Sequence, residues 1–493
     1  MRLTVPWCGV TFPLEHSYAQ LPERFYARLS AQPGPLPELL SVNEELARTL
    51  GIELDVLSSS ETIAMFGGRA YPDALQPIAM AYAGHQFGGF SPQLGDGRAL
   101  LLGEIVNAAV QRFDIHIKGS GRTPFSRNGD GKAALGPVIR EYLVSEAMHQ
   151  LGVPTTRALA ALNTGETVHR EKSFPGGLIV RVAASHIRVG TFEYFSSRGD
   201  HEALLILTNY AINRHAPQFL TEPEPIKLWL EWVIAQQAKL IAHWLSLGFI
   251  HGVMNTDNCA VSGETIDYGP CAFMDEFHPQ CVFSAIDQQA RYAWGNQPSI
   301  GHWNMARFAE TLLPLIADDA TNAREIAQSA LATFGEIFHR HYLRLFRAKF
   351  GISPEAFTDD GAAWLKSTLG MMADQRVDFT RFFRDLTRHA EDSNDGSIYD
   401  HFSSPTTAQN CLDEWKTKHD PALVEEMKQH NPVRIPRNHR IEAVIQAAYQ
   451  GDLTPFQEAI QALRNPYQEI PEFSHWENAP LPQERVLQTF CGT

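Results

Sequence analysis

Residues 247–275 read LGFIHGVMNTDNCAVSGETIDYGPCAFMD, and the order of side chains in this segment decides how the rest of the chain is read. After Gly248 come His251, the adjacent pair Asp257 and Asn258, and then Asp267 inside an Asp-Tyr-Gly triplet. Carboxylate and amide oxygens are hard donors, suited to Mg²⁺ shared between a protein and substrate phosphates. Asp257 offers a carboxylate for general-base work, although an aspartate in a loop also serves simply to cap backbone N–H groups. His251 reads as an organiser of its loop, and the chain's 20 histidines show no zinc-ligand spacing.

Outward from this segment the two flanks differ. Upstream, KLWLEWVIAQQAKLIAHWLSLG (227–248) places apolar residues at i, i+3 and i+4 and stops at Gly248, which predicts a long amphipathic helix. Further helices are predicted at 304–317, 321–349 and 439–450. Between about 80 and 195 the pattern is instead short β-like runs, LLGEIV, FDIHIKG and LIVRVAA, parted by glycine-rich turns, with one helical stretch at 138–150. The chain therefore reads as α+β, a β-rich lobe followed by a larger, mostly helical lobe. Residues 1–75 read as an amino-terminal extension packed on the lobes, 76–199 as the β-rich lobe and 200–493 as the helical lobe with its tail. Within the extension, Ser41 begins a Ser-x-x-Glu signature and Gly51 closes the predicted helix.

Composition narrows the function. Of 493 residues, 44% are hydrophobic and 20% charged, an apolar content that disordered chains do not reach. With 41 basic against 56 acidic residues the net charge is −15, which argues against a nucleic acid bound along the surface by counterion release. Six sparse cysteines with no C-x-x-C pair favour a reducing compartment, and no apolar run of membrane-spanning length occurs, so a cytoplasmic, unanchored protein is expected.

Against that acidic background, basic residues collect beside glycines. Gly88, Gly89, Gly95 and Gly97 surround Arg98 just before a strand. Glycines let backbone N–H groups approach phosphate oxygens, but they also build ordinary turns. Lys118 ends the run FDIHIK, and the next helix carries Glu141 and Glu146. A strand lysine held by a helix glutamate is how kinase-like lobes grip nucleotide phosphate. Between them Gly119, Gly121, Gly129 and Gly131 alternate with Arg122, Arg127, Asp130 and Lys132 in a basic, flexible loop. Arg181 and Arg188 sit in apolar runs, where an arginine is costly unless it meets a carboxylate or an anionic ligand. In kinases an aspartate five residues before the metal-binding asparagine is the base; here that position is Val253. A γ-phosphate-transferring kinase and a non-catalytic nucleotide-binding scaffold both remain open on these residues.

Five strings carry a more specific likeness: YAGHQFGGFSPQLGDGRA, DIHIKGSGRTPFSRNGDGKAALGPVIREYL, HGVMNTDNCAVSGETIDYGPCAFMD, RYAWGNQPSIGHWNMARFAE and IPRNHRIEAVIQAAYQGD. Over about residues 70 to 493 the chain resembles the selenoprotein O family, a branch of the protein-kinase-like fold understood as protein adenylyltransferases. The resemblance implies transfer of AMP from ATP to Ser, Thr or Tyr hydroxyls of proteins, with release of pyrophosphate, use of Mg²⁺ or Mn²⁺, and auto-adenylylation as a further outcome. It implies that Gly95, Gly97, Arg98, Lys118, Asp130, Gly131 and Asp267 bind ATP, that Glu141 pairs with Lys118, and that Asn258 and Asp267 carry the metal. ATP is held reversed relative to kinases, so Arg181 and Arg188 match the residues on the buried γ-phosphate, and Asp257 matches the proton acceptor. Where eukaryotic members can carry selenocysteine this chain has Cys491, and a reversible Cys271–Cys491 disulfide is implied in the same way.

Overall fold

The protein is described here by a computed structural model covering residues 3–7, 10–71, 75–357 and 359–490. It is a mixed α and β structure in which sequence alternation sets the faces of one large antiparallel sheet. Along the strand Arg112–Lys118, Ile115 and Ile117 point into an apolar core with Leu100, Leu102, Val180 and Val182. The intervening His116 and Lys118 project from the opposite face, as the two-residue strand period requires. The strands lie in the order Tyr26–Arg28, Ile78–Met80, Ala99–Val106, Arg112–Lys118, Ser173–Ala183, Arg157–His169, Glu38–Val42, with Ala133–Ala134 paired to Ser173–Ala183. In the centre, His116 stands opposite Arg181 and Lys118 opposite Ile179.

Helix Leu135–Gln150 lies on the sheet against Arg157–His169 and Ser173–Ala183. Its other side is covered by Asn438–Tyr449 and Thr454–Ala462, so that Ile139 and Leu143 share a core with Ile441, Val444, Ile445 and Phe456. The remaining body is helical. Pro225–Ser246, Gln297–Ile316 and Ala320–Phe350 pack around a larger core that includes Trp229, Phe308 and Phe346. Gly248 takes φ +70°, turning the chain out of the first of these helices and into a short ladder, Phe249–Ile250 with Ala272–Phe273. That ladder ties both ends of the 247–275 segment to the helical body and offers the loop between them to the sheet. No helix among the described residues is long and apolar enough to cross a membrane.

The predicted strands and helices appear within a few residues of their expected ends, except that the helix expected at 304–317 already begins at Gln297, with Pro298 in its first turn, and there are three further differences. The amino-terminal helix, Glu44–Leu50, is capped by Asn43, whose Oδ1 accepts from the Leu46 N–H, while Ser41 lies in the strand Glu38–Val42. Pairing with Arg157–His169 holds Ser41 extended, and Asn43 is the first residue free to cap. Residues 1–75, expected to lie on the lobes, supply both edge strands of the sheet, Tyr26–Arg28 and Glu38–Val42. The strand Arg157–His169 was not predicted. Bulges between Ala158 and Ala160 and between Asn163 and Thr167 break its alternation.

Candidate active site

The sheet, helix Leu135–Gln150 and the 247–275 segment close around a cleft of about 620 Å³. Three buried cations meet two carboxylates on its floor. Lys118 Nζ lies 2.7 Å from Glu141 Oε2 and 2.8 Å from Asp267 Oδ1. Arg181 Nη1 lies 3.1 Å from Glu141 Oε1 and 2.9 Å from the same Asp267 Oδ1, and Arg188 Nη1 lies 3.2 Å from Asp267 Oδ2. Asp267 is thus the hub, and it reaches all three cations from a left-handed backbone, φ +66°. Arg181 and Arg188 are only 2% and 3% exposed, and the Nε of each finds no hydrogen-bond partner among the described residues. Burial on its own raises a carboxylate's pKa, but Lys118, Arg181 and Arg188 outweigh it and hold Asp267 well below the usual range. Burial also works to raise Glu141, and Lys118 and Arg181 outweigh it and lower its pKa.

Asp257 lies beside this cluster in a different environment. Its carboxylate makes no ion pair among the described residues, and Arg188 Nη1 instead donates to its backbone carbonyl at 2.8 Å. Burial therefore dominates and pushes Asp257 up to about 6, in the range where a carboxylate accepts a proton effectively near neutral pH. Gln86 Nε2 donates to Asp257 Oδ2 at 2.9 Å, while Oδ1 is buried with no hydrogen-bond partner among the described residues. Asn258 donates from Nδ2 to the Val253 carbonyl at 3.1 Å, and Asp257, Asn258 and Val253 all line the cleft. His251 is fully buried, its Nε2 2.9 Å from the Ile266 carbonyl, and so fixes the turn into Asp267, as expected of a loop organiser.

The glycine-rich segments form the cleft's other wall. Gly95 adopts φ +124°, and a Cβ there would come within 2.4 Å of the Phe125 ring, so only glycine fits. Gly97 abuts the Phe125 carbonyl, Arg98 lines the cleft, and Gly131 takes φ +70° against Gly121. Asp130 lines the cleft too, but its carboxylate is gripped by Arg170, at 2.8 and 3.0 Å, and accepts from the Lys132 N–H. Four residues that sequence reasoning passed over complete the site: Arg170, Gln86, Tyr82 with the Arg188 guanidinium 4.6 Å above its ring, and Asp96 at 3.8 Å from Arg188. Asp96 was visible as the one acid inside the glycine run LGDG, a position where burial demands a partner.

The two residues expected to hold a metal share the cleft, although both Asp267 oxygens are ion-paired to cations. Asp267 and Asn258 present hard oxygens to one cleft, and no group of three or more His, Cys, Asp or Glu side chains is arranged to hold a metal among the described residues. Mg²⁺ is typically held in such places by one or two protein groups with phosphate oxygens and water completing its shell. Of the suggested thiol pair, Cys271 is buried beside the Asp267 loop, and Cys491 lies outside the described residues. The chain just before it is docked nearby: Thr489 Oγ1 donates to the Pro270 carbonyl at 2.5 Å, and Thr489 pairs with Ser284.

The cleft thus sets three buried cations and several glycine turns, features that favour an anionic ligand, beside a carboxylate raised by burial. The family model described as protein adenylyltransferase SelO matches residues 10–464, and the chain belongs to that family. It is 50% identical over 492 residues to the protein nucleotidyltransferase YdiU of Rhodopseudomonas palustris (strain HaA2), covering 98% of this chain and 100% of that one. It is similarly 49% identical over 493 residues to the YdiU of Rhizobium etli, covering 98% of each chain. The YdiU of Nitrobacter hamburgensis is 50% identical over 490 residues, covering 97% of this chain and 96% of its own.

Proposed function

We propose that this protein transfers AMP from ATP to Ser, Thr or Tyr hydroxyls of proteins, itself included, using a kinase-like two-lobed fold in which 76–199 and 200–493 face one another across the cleft. The observation that carries this reading is the convergence of Lys118, Arg181 and Arg188 on Asp267, within one cleft that also holds Asp257. A triphosphate is a ligand whose charge suits three cations gathered around one carboxylate hub.

In this reading Arg181 and Arg188, the most deeply buried of the three, take the γ-phosphate, and Lys118, oriented by Glu141, takes the next. The α-phosphorus then faces Asp257. Gly95, Gly97, Arg98 and the turn at Asp130 and Gly131 lie along the nucleotide, with Asp130 fixed by Arg170. Asp257 accepts the proton of the incoming hydroxyl. The hydroxyl oxygen bonds to the α-phosphorus, the bond from that phosphorus to the α–β bridging oxygen breaks, and pyrophosphate leaves with that oxygen. Mg²⁺ or Mn²⁺, held by Asn258 and Asp267, supplies charge neutralisation and orientation of phosphate oxygens. Positioning and preorganised charge carry most of such a rate enhancement. The docking of Thr489 beside Pro270 supports bringing Cys491 to Cys271 under oxidation, which non-reducing peptide mapping tests.

The test is ATP labelled separately at the α- or γ-phosphate, incubated with the protein, Mg²⁺ or Mn²⁺ and acceptor proteins. Incorporation of the α-label with an AMP-sized mass gain is expected. Transfer of the γ-label in its place makes this a kinase despite Val253, and binding without transfer of either label makes it a scaffold.

A further inference from the structure

Three consecutive residues of one small hairpin are tied to the three residues ending at Asp257. The hairpin pairs Gly84–Gln86 with Gly89–Ser91. The His85 N–H donates to Thr256 Oγ1 at 2.7 Å, the Phe87 N–H donates to Asn255 Oδ1 at 3.1 Å, and between them Gln86 Nε2 donates to Asp257 Oδ2. The tether is reinforced from behind: Glu193 receives Thr256 Oγ1 on one oxygen and contacts His85 Nδ1 with the other, each at 2.5 Å. Phe87 itself sits at φ +52°, a conformation unfavourable for a bulky residue, and its N–H also reaches the Tyr292 hydroxyl at 3.1 Å. A hairpin held in this way has little freedom to move its glutamine.

The two oxygens of Asp257 are unequal. Oδ1 is buried without a hydrogen-bond partner among the described residues and faces Gly84, where even an added Cβ would come within 2.8 Å of it. Oδ2 is the oxygen that Gln86 holds, and both side chains line the cleft. A carboxylate oxygen has two lone pairs, so Oδ2 can accept from Gln86 and from a substrate hydroxyl together. We infer that Gln86 is a positioning residue for the transfer reaction: its amide fixes the rotamer of Asp257 and aims the free lone pair of Oδ2 at the acceptor hydroxyl, without touching ATP. The inference rests on Asp257 being the proton acceptor of the proposed reaction.

The experiment compares the full-length wild type with Gln86→Ala and Gln86→Met, following α-label transfer to one protein acceptor while ATP is varied. Gln86→Met nearly keeps the volume and removes the amide with its hydrogen bond, so it separates the polar contact from packing. Both variants are expected to lose on the order of 10- to 100-fold in kcat, the scale of a misaimed base. Their KM for ATP and their thermal midpoints are expected to stay near the wild-type values. Gln86→His, which can present an N–H in the same direction, is expected to recover part of the rate. A Gln86→Met enzyme with wild-type kcat overturns the inference, as does a loss shared equally between kcat and KM. A wild type that transfers no α-label overturns instead the reaction on which it rests.

Discussion

Replacing Asp267 with asparagine has opposite consequences for binding and for turnover. The cation cluster, Lys118, Arg181 and Arg188, faces three acids, the buried Glu141 and Asp96 and the partly exposed Asp267, so the cluster is close to charge-balanced and Asp267 occupies all three cations at 2.8 to 3.2 Å. Asparagine is nearly isosteric and, unlike most residues, tolerates the left-handed backbone at this position, φ +66°. The variant therefore removes a charge without straining the loop. Removing one negative charge about 4 Å from a phosphate group is worth about 4 kcal/mol at an effective dielectric of about 20. Residual solvation and the flexibility of an unchelated triphosphate reduce this, leaving about 1–3 kcal/mol, or about 5- to 150-fold tighter binding of ATP in the absence of divalent ions. Transfer, in contrast, is expected to fall by at least about 10³-fold, because in the proposed reaction Asp267 holds the charge-neutralising ion. Binding of a fluorescent ATP analogue in excess chelator measures the first effect, and α-label transfer at saturating Mg²⁺ or Mn²⁺ measures the second. Weaker metal-free binding by the variant, or transfer within tenfold of wild type, refutes this account of the hub.

Other outcomes follow from the same geometry. Lys118→Met leaves Glu141 and Asp267 facing one cation fewer, so it is expected to weaken ATP binding at least about tenfold and to lower the thermal midpoint, because breaking a buried pair costs about 3–5 kcal/mol; scanning fluorimetry with and without ATP checks both. Gly84→Ala drives a methyl against Asp257 Oδ1, Cβ and Cγ, and is expected to cut transfer by about 10²-fold with ATP binding retained, as seen by parallel binding and transfer assays. Stability is expected to fall in mild acid. Burial depresses His186 and His215 from 6.5 to about 3 and His243 to about 4, so between those values and 6.5 the unfolded chain binds protons that the folded one refuses. Asp257 and Glu264, raised to about 6 and about 7, pull the other way but are fewer. Urea midpoints should therefore drop from pH 7 to pH 5, and a flat or rising series contradicts the assignment of these histidines as buried and neutral.

What the sequence disclosed was what periodicity and charge cost make visible. FDIHIKG and LIVRVAA alternate clearly, and a lysine or arginine in such a run must have a partner, which is why Lys118 and Arg181 stood out before their partners were known. The Asp-Tyr-Gly triplet marked Asp267 by composition alone. What stayed hidden depends on contacts distant in sequence. Arg170 lies 40 residues from the Asp130 it grips, and nothing local to either predicts the pair. Gln86 reaches Asp257 across 171 residues, from a hairpin whose strands of three residues are too short to show a period. The strand Arg157–His169 lost its alternation to bulges, and Ser41 matched a cap signature that sheet pairing overrode.

The cover over helix Leu135–Gln150 has a consequence for the timing of folding on the ribosome. This helix presents Glu141 to Lys118, yet its outer face is buried by residues near the end of the chain: Ile441, Ile445 and Phe456 in the shared core, Tyr449 against Gly136, and Glu442 on Arg140. Until those residues leave the exit tunnel, Ile139 and Leu143 lack part of their apolar cover, and the helix that orients the lysine lacks its outer support. Although the sheet, Lys118, Arg181 and Arg188 are made in the first half of synthesis, the helix that presents Glu141 gains its outer cover only from helices near the end of the chain, so a nascent or prematurely terminated chain holds that glutamate on a helix with an apolar face uncovered.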